Sequence, residues 1–105
     1  MSIPTRVKGG VIQIQDALLI PKGYEQIADV SSAKGLTVPA GATMALIQAV
    51  TQNVRWRDDG TSPTSSVGMK ISAGEEFWYT GNVDAIEFIE EVASAELNIS
   101  YYSTE

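Results

Sequence analysis

Three stretches decide the fold class: Val54-Arg-Trp-Arg57, Asp58-Asp-Gly60 and Gly68-Met-Lys-Ile-Ser-Ala-Gly74. In the first, apolar and charged residues alternate with the period of a β-strand, so Val54 and Trp56 face one way and Arg55 and Arg57 the other. The second is a turn whose glycine readily takes positive φ. The third repeats the types of Gly35-Leu-Thr-Val-Pro-Ala-Gly41 position by position at an offset of 33 residues, and each copy leads into a further strand.

Outward from this centre, the pattern predicts strands over Thr43–Val50, Glu76–Thr80, Ala85–Ile89 and Glu96–Tyr102. Gly35–Val38 and Val11–Gln15 read as further short strands. Pro21-Lys-Gly23, Thr51-Gln-Asn53, Gly81-Asn82 and Ala93-Ser-Ala95 read as turns, and Thr61–Val67 as a polar loop around Pro63. Tyr24–Val30 fits a helix or a strand. Seven to nine short strands at regular spacing predict an all-β fold, a small β-sandwich with jelly-roll-like character. The expected organisation is an N-terminal arm over residues 1–10, flexible because Ser2, Pro4, Gly9 and Gly10 discourage regular structure, and a single sandwich domain over 11–105.

Composition narrows the chemistry. The chain of 105 residues has no histidine and no cysteine. This removes disulfides, thiolate and imidazole metal sites, cysteine nucleophiles and any serine–histidine triad. From Asp58 to Glu105 there are ten acidic residues and one basic one, Lys70, so no basic face for nucleic acid is expected. No apolar run reaches the length of a membrane span or a secretion signal.

Carboxylates remain as candidate chemistry. Asp58 and Asp59 could hold a calcium ion, but they occupy a turn, where Asp is expected for backbone reasons. Glu75-Glu76 and Glu90-Glu91 flank strands, where charge keeps edges soluble. No catalytic, cofactor or metal site is therefore assigned. Arg55 and Arg57 are expected to pair with Asp58, Asp59 or a neighbouring strand's Glu.

The candidate functional residues are interfacial. Trp56 and Phe88 are expected in the core. In Phe77-Trp-Tyr79, alternation puts Trp78 opposite Phe77 and Tyr79, so one of these faces meets solvent or a partner. In the arm, Ile3 and Val7 offer apolar contact and Arg6 and Lys8 offer positive charge.

Val54-Arg-Trp-Arg-Asp-Asp-Gly-Thr-Ser-Pro-Thr64, Val67-Gly-Met69 and Ala73-Gly-Glu75 resemble a recurring stretch in small virion-associated proteins of tailed bacteriophages. The ending Leu97-Asn-Ile-Ser-Tyr-Tyr102 is similar to theirs as well. The likeness runs from Ala45 to Tyr102. It implies a non-enzymatic virion structural protein, made in the host cytoplasm and carried on the particle. Capsid decoration or cement proteins of this kind sit on the head shell as trimers or dimers and tie neighbouring capsomers of the major capsid protein together. Tail and head–tail connector components are the alternative within that resemblance. From the residues alone, a carbohydrate-binding module using Trp78 or Tyr79 is a further alternative, and a metal-free cupin-like enzyme a distant one. Open strand edges predict a homo-oligomer, and the capsid geometry implied by the resemblance favours a trimer. If the arm carries part of the contact, deleting residues 2–10 weakens binding to the shell and leaves the fold intact; unchanged shell binding of the truncated chain rules the arm out.

Overall fold

The computed structural model describes residues 18–104, which form eight strands in two antiparallel sheets, with no helix. The strands are β1 (Leu19–Ile27), β2 (Lys34–Gly35), β3 (Met44–Val50), β4 (Val54–Arg57), β5 (Met69–Ile71), β6 (Glu76–Tyr79), β7 (Glu87–Glu90) and β8 (Glu96–Thr104). One sheet has the order β1-β8-β3-β6 and the other β2-β7-β4-β5. Strand β1 pairs with β8, β2 with β7, β3 with β6 and β4 with β5. The chain is thus one long hairpin whose paired strands pass from sheet to sheet as they roll up, the double Greek key of a jelly roll.

Alternation supplies the core. Strand β3 buries Ala45, Ile47 and Ala49, and β8 buries Leu97, Ile99 and Tyr101. These residues are register partners: small Ala45 lies beside Tyr101, Ala49 beside Leu97, and Ile47 beside Ile99. Pairing small with large lets the inner face interdigitate with the opposite sheet, which contributes Val54, Ile71 and Phe88. A fully buried side chain such as Phe88 contributes about 1.5–3 kcal/mol through area removed from water.

The seven-residue repeat marks two equivalent corners. Ala42 N–H donates to Pro39 O (3.1 Å) and Glu75 N–H to Ser72 O (2.9 Å). Gly41 (φ 84°) and Gly74 (φ 86°) hold the third turn position, the requirement of a type II turn. Each corner carries the chain from the β2-β7-β4-β5 sheet into the other, where the strands that follow, β3 and β6, pair with each other.

Several expected boundaries move. Pro21-Lys-Gly23 is no turn: it lies inside β1, where the register shifts between Pro21 and Gly23. A proline without an N–H is tolerated because β1 is an edge strand, and the bulge absorbs the extra residue. Tyr24–Val30 is strand as far as Ile27. The strand expected at Gly35–Val38 is only Lys34–Gly35, beyond which Leu36 and Val38 pack on the core from a loop. That expected at Ala85–Ile89 starts at Glu87, because an Asn82–Ala85 turn precedes it. The arm expected over residues 1–10 and the strand expected at Val11–Gln15 lie outside the described residues.

Gly68 admits the chain to β5 at φ 143°, and a Cβ there would meet Trp56 O at 3.1 Å and Arg55 Cβ and Pro63 Cβ at 3.2 Å. Gly60, at φ 89°, has open space around it. Gly68→Ala should therefore cost about 1–3 kcal/mol, against about 1 kcal/mol for Gly60→Ala, which bears only the conformational cost. Urea midpoints at unchanged slope check the ranking.

Candidate functional site

Two surfaces of different chemistry flank strand β6. The first is the open side of the sandwich, where edge strands β5 and β6 lie in opposite sheets. Trp56 reaches across from β4 and stacks on Phe77 (centroids 5.5 Å apart, planes 13° apart) and edge-on against Tyr79 (5.9 Å). Over this aromatic floor run two adjoining open hollows of about 570 and 360 Å³. Both are lined by Trp56 and Met69; the first also takes in Val67, Arg57, Asp58 and Asp59, the second Phe77, Lys70, Glu75 and Glu76. Met69 and Val67 are more than half exposed, so the groove has an apolar floor and a rim of both charge signs.

The rim is held in place. Arg57 grips Asp59 through two hydrogen bonds (3.0 and 2.5 Å), which keeps the Asp59 carboxyl below the usual carboxylate range. Asp58 accepts a 2.7 Å hydrogen bond from the Tyr79 hydroxyl. Both carboxylates of the Asp-Asp-Gly turn are therefore engaged by protein partners. Arg55 donates to Glu91 (2.5 Å) and to Gly68 O (3.0 Å), tying β4 to the segment after β7 and to the entry of β5. Among the described residues no three acidic side chains converge as a metal site.

The second surface is the outer face of the β1-β8-β3-β6 sheet. Register places Tyr24, Ser100, Leu46 and Trp78 in one row across all four strands. The next row is Gln26, Asn98, Gln48 and Glu76. Asn98 Oδ1 accepts from Tyr24 (2.7 Å) and from Gln26 Nε2 (3.1 Å), while Asn98 Nδ2 donates to Gln48 Oε1 (3.1 Å). Trp78 lies against Tyr102, centroids 5.3 Å apart and planes inclined by 54°.

The three aromatic candidates of β6 separate. Trp78 is 47% exposed on the outer face. Phe77 is half-buried under the groove. Tyr79, at 6% exposure, is a core residue and offers no surface to a partner, which corrects its assignment to an interface. The cause is its register: it pairs with inward-facing Ala45, and its hydroxyl is used by Asp58. Ile3, Arg6, Val7 and Lys8 lie outside the described residues. Tyr24, Gln48, Asn98, Met69 and Val67 were not singled out from the sequence. Of the outer face, the sequence reading picked out Trp78, through the alternation of Phe77-Trp-Tyr79.

Burial, with Asp58 adding to it, pushes the Tyr79 hydroxyl up to about 12 from 10. Burial and the Glu25 carboxylate raise Tyr101 as well. A raised folded-state value means that the folded protein holds the proton longer than the unfolded chain. The stability that the Tyr79 hydroxyl contributes is thus full below pH 10 and falls as pH rises toward 12. Tyr79→Phe should cost about 0.5–1.5 kcal/mol at neutral pH and make the alkaline loss shallower, with tyrosinate absorbance and urea midpoints read together across that range.

No family model, curated protein or solved structure matches the chain.

Proposed function

We propose that this chain is a non-enzymatic structural protein of a bacteriophage virion, a decoration or cement protein that stabilises the head shell. The observation that carries the proposal is the groove at the β5–β6 side. An apolar floor of Trp56, Phe77, Met69 and Val67 inside a rim of Arg57, Lys70, Asp59 and Glu75 has the anatomy of a protein interface, apolar at the centre and polar at the margin. Methionine at its centre is an adaptable contact residue. Among the described residues, edge strands β5 and β6 each have one side without a strand partner, which a strand of the shell protein can meet. The likeness of Val54–Thr64 to virion-associated proteins supports the same reading, and that stretch contains Trp56, Arg57 and the Asp-Asp-Gly turn of the rim.

The mechanism is stapling. A rigid sandwich adds no chemistry; it binds the assembled lattice and not free subunits, so each bound copy favours the assembled state by mass action. Assembly of the protein itself into a trimer multiplies the contact, because the second and third engagements are intramolecular.

Quantitative mass spectrometry of purified particles, with heads and tails separated, tests this. Copies comparable to the major shell protein and confined to heads are expected. Enrichment in tails, or a few copies per particle, would instead mean a tail or connector component, and absence from particles would end the virion reading. Met69→Glu should lower shell occupancy about tenfold or more, because an unpaired carboxylate buried in an interface costs several kcal/mol. Its urea midpoint should stay unchanged, since Met69 is 61% exposed.

A further inference from the structure

The outer face of the β1-β8-β3-β6 sheet has a different composition from the groove. Its central positions are Tyr24, Gln26, Met44, Leu46, Gln48, Trp78, Asn98, Ser100 and Tyr102, none of them charged. Carboxylates enter only at one end, with Glu76 beside Gln48 and Glu96 beside Val50. The opposite sheet has the reverse character: Arg55, Lys70, Arg57 and Glu87 occupy its outer register positions. In a chain of net charge −6, a neutral sheet face points to a ligand that is itself uncharged.

We propose that this face binds neutral glycans, with the Trp78–Tyr102 pair and Tyr24 stacking on sugar rings and the Gln26–Asn98–Gln48 amide chain addressing their hydroxyls. A pyranose ring has an apolar C–H face and an equatorial belt of hydroxyls that both donate and accept. Trp78 and Tyr24 stand at the two ends of one cross-strand row, separated by three strand spacings, roughly 14 Å. Between them lie Leu46 and the short side chain of Ser100, and the Tyr24 ring leans toward β8, where its hydroxyl donates to Asn98. Tyr102 inclines toward Trp78 from the β8 side, giving a pair of non-parallel aromatic surfaces. One row further along, the amides are already oriented by their mutual hydrogen bonds. Fixing them in advance lowers the ordering cost of binding. Gln48 Nε2 and Gln26 Oε1 have no partner among these bonds and supply one donor and one acceptor for a hydroxyl.

The site is independent of the shell-docking groove, because alternation turns Trp78 and Phe77, neighbours on β6, to opposite faces. This separates the two tests. The probes are hexaoses of neutral glucose, galactose and N-acetylglucosamine units, with a uronic-acid oligosaccharide as the charged control, titrated against the whole chain. Readouts are tryptophan fluorescence and calorimetry. At least one neutral hexaose should bind and shift the Trp78 emission, and the charged control should not. Trp78→Ala and Asn98→Ala should each weaken that binding about tenfold, equivalent to about 1.4 kcal/mol. Shell occupancy should be unchanged in both, and each should still unfold in one cooperative urea transition, at a lowered midpoint for Asn98→Ala because three hydrogen bonds are lost. Trp56, the second of the two tryptophans, reports that the aromatic floor of Trp78→Ala is intact. No binding by any neutral hexaose, or binding that survives Trp78→Ala, overturns the proposal; loss of shell occupancy in Trp78→Ala makes the face a protein contact instead.

Discussion

The indole of Trp56 lies between the two sheets, and the grooved side of the molecule depends on that contact. Among the described residues β5 and β6 are edge strands on one side of the jelly roll, with no backbone hydrogen bonds joining them. Trp56 closes that side: it rises from β4, stacks on Phe77 and meets Tyr79 edge-on, both from β6. Aromatic contacts of this kind are worth roughly 0.5–1.5 kcal/mol each beyond the area they bury. The hydroxyl of Tyr79 extends the connection to Asp58, at the turn that follows β4. Floor and rim of the groove are therefore built by the same residues that hold the sheets together. The opposite side has its own tie, in which inward-facing Glu25 of β1 accepts hydrogen bonds from the Tyr101 hydroxyl and from Thr37 N–H.

Charge is partitioned by sheet, and alternation is what makes this possible. Each strand has one face turned to the core, so most of its charged residues emerge on the other; inward-register Glu25 and Glu90 are the exceptions, and both carboxylates accept hydrogen bonds from the protein. In β4 these are Arg55 and Arg57, and pairing with Lys70 and Glu87 concentrates charge on one side of the sandwich. Strands β3 and β8 carry almost none: Met44, Leu46, Gln48 and Val50 alternate with buried Ala and Ile, and Asn98, Ser100 and Tyr102 alternate with buried Leu, Ile and Tyr. On this open face, where solvent could serve the polar groups, Tyr24, Gln26 and Gln48 are nevertheless joined through Asn98.

The all-β class and the cores of β3, β4, β6, β7 and β8 were legible, because period-two alternation and Gly-bearing turns are local signals. The corner repeat was visible as a pattern, but its role in switching sheets was not, since that depends on which strands later pair. The misreadings share a cause. Pro21-Lys-Gly23 has turn chemistry, yet long pairing with β8 keeps it in a strand and leaves only a bulge. Thr51 (φ 69°) and Ser94 (φ 77°) adopt backbone conformations that their residue types do not announce. They are held by tertiary contact, with the Thr51 hydroxyl 2.7 Å from Ser94 O. The outer-face rows were hidden for the same reason: Tyr24 and Asn98 are 74 residues apart in sequence. A fold whose pairings join its two ends shows its strands locally and its surfaces only once register is known.

Strand β6 shows how one short segment serves two surfaces. Four residues, Glu76 to Tyr79, place Phe77 beneath the groove, Trp78 on the outer face and Tyr79 in the core. A one-residue slip of its register against β3 would exchange these roles, exposing Tyr79 and driving Trp78 inward against Ala45. The register is pinned from both ends. At the start, the second corner is bonded to β3 through Gly74 N–H to Ala49 O (2.8 Å) and Ala49 N–H to Glu75 O (3.0 Å). At the finish, the Tyr79 ring packs where Gly81 has no side chain: a Cβ at Gly81 would lie 2.5 Å from the Tyr79 hydroxyl oxygen. The glycine is thus required by close approach, and with the corner it fixes β6 against sliding. Surface chemistry on both sides of the strand follows from that one register.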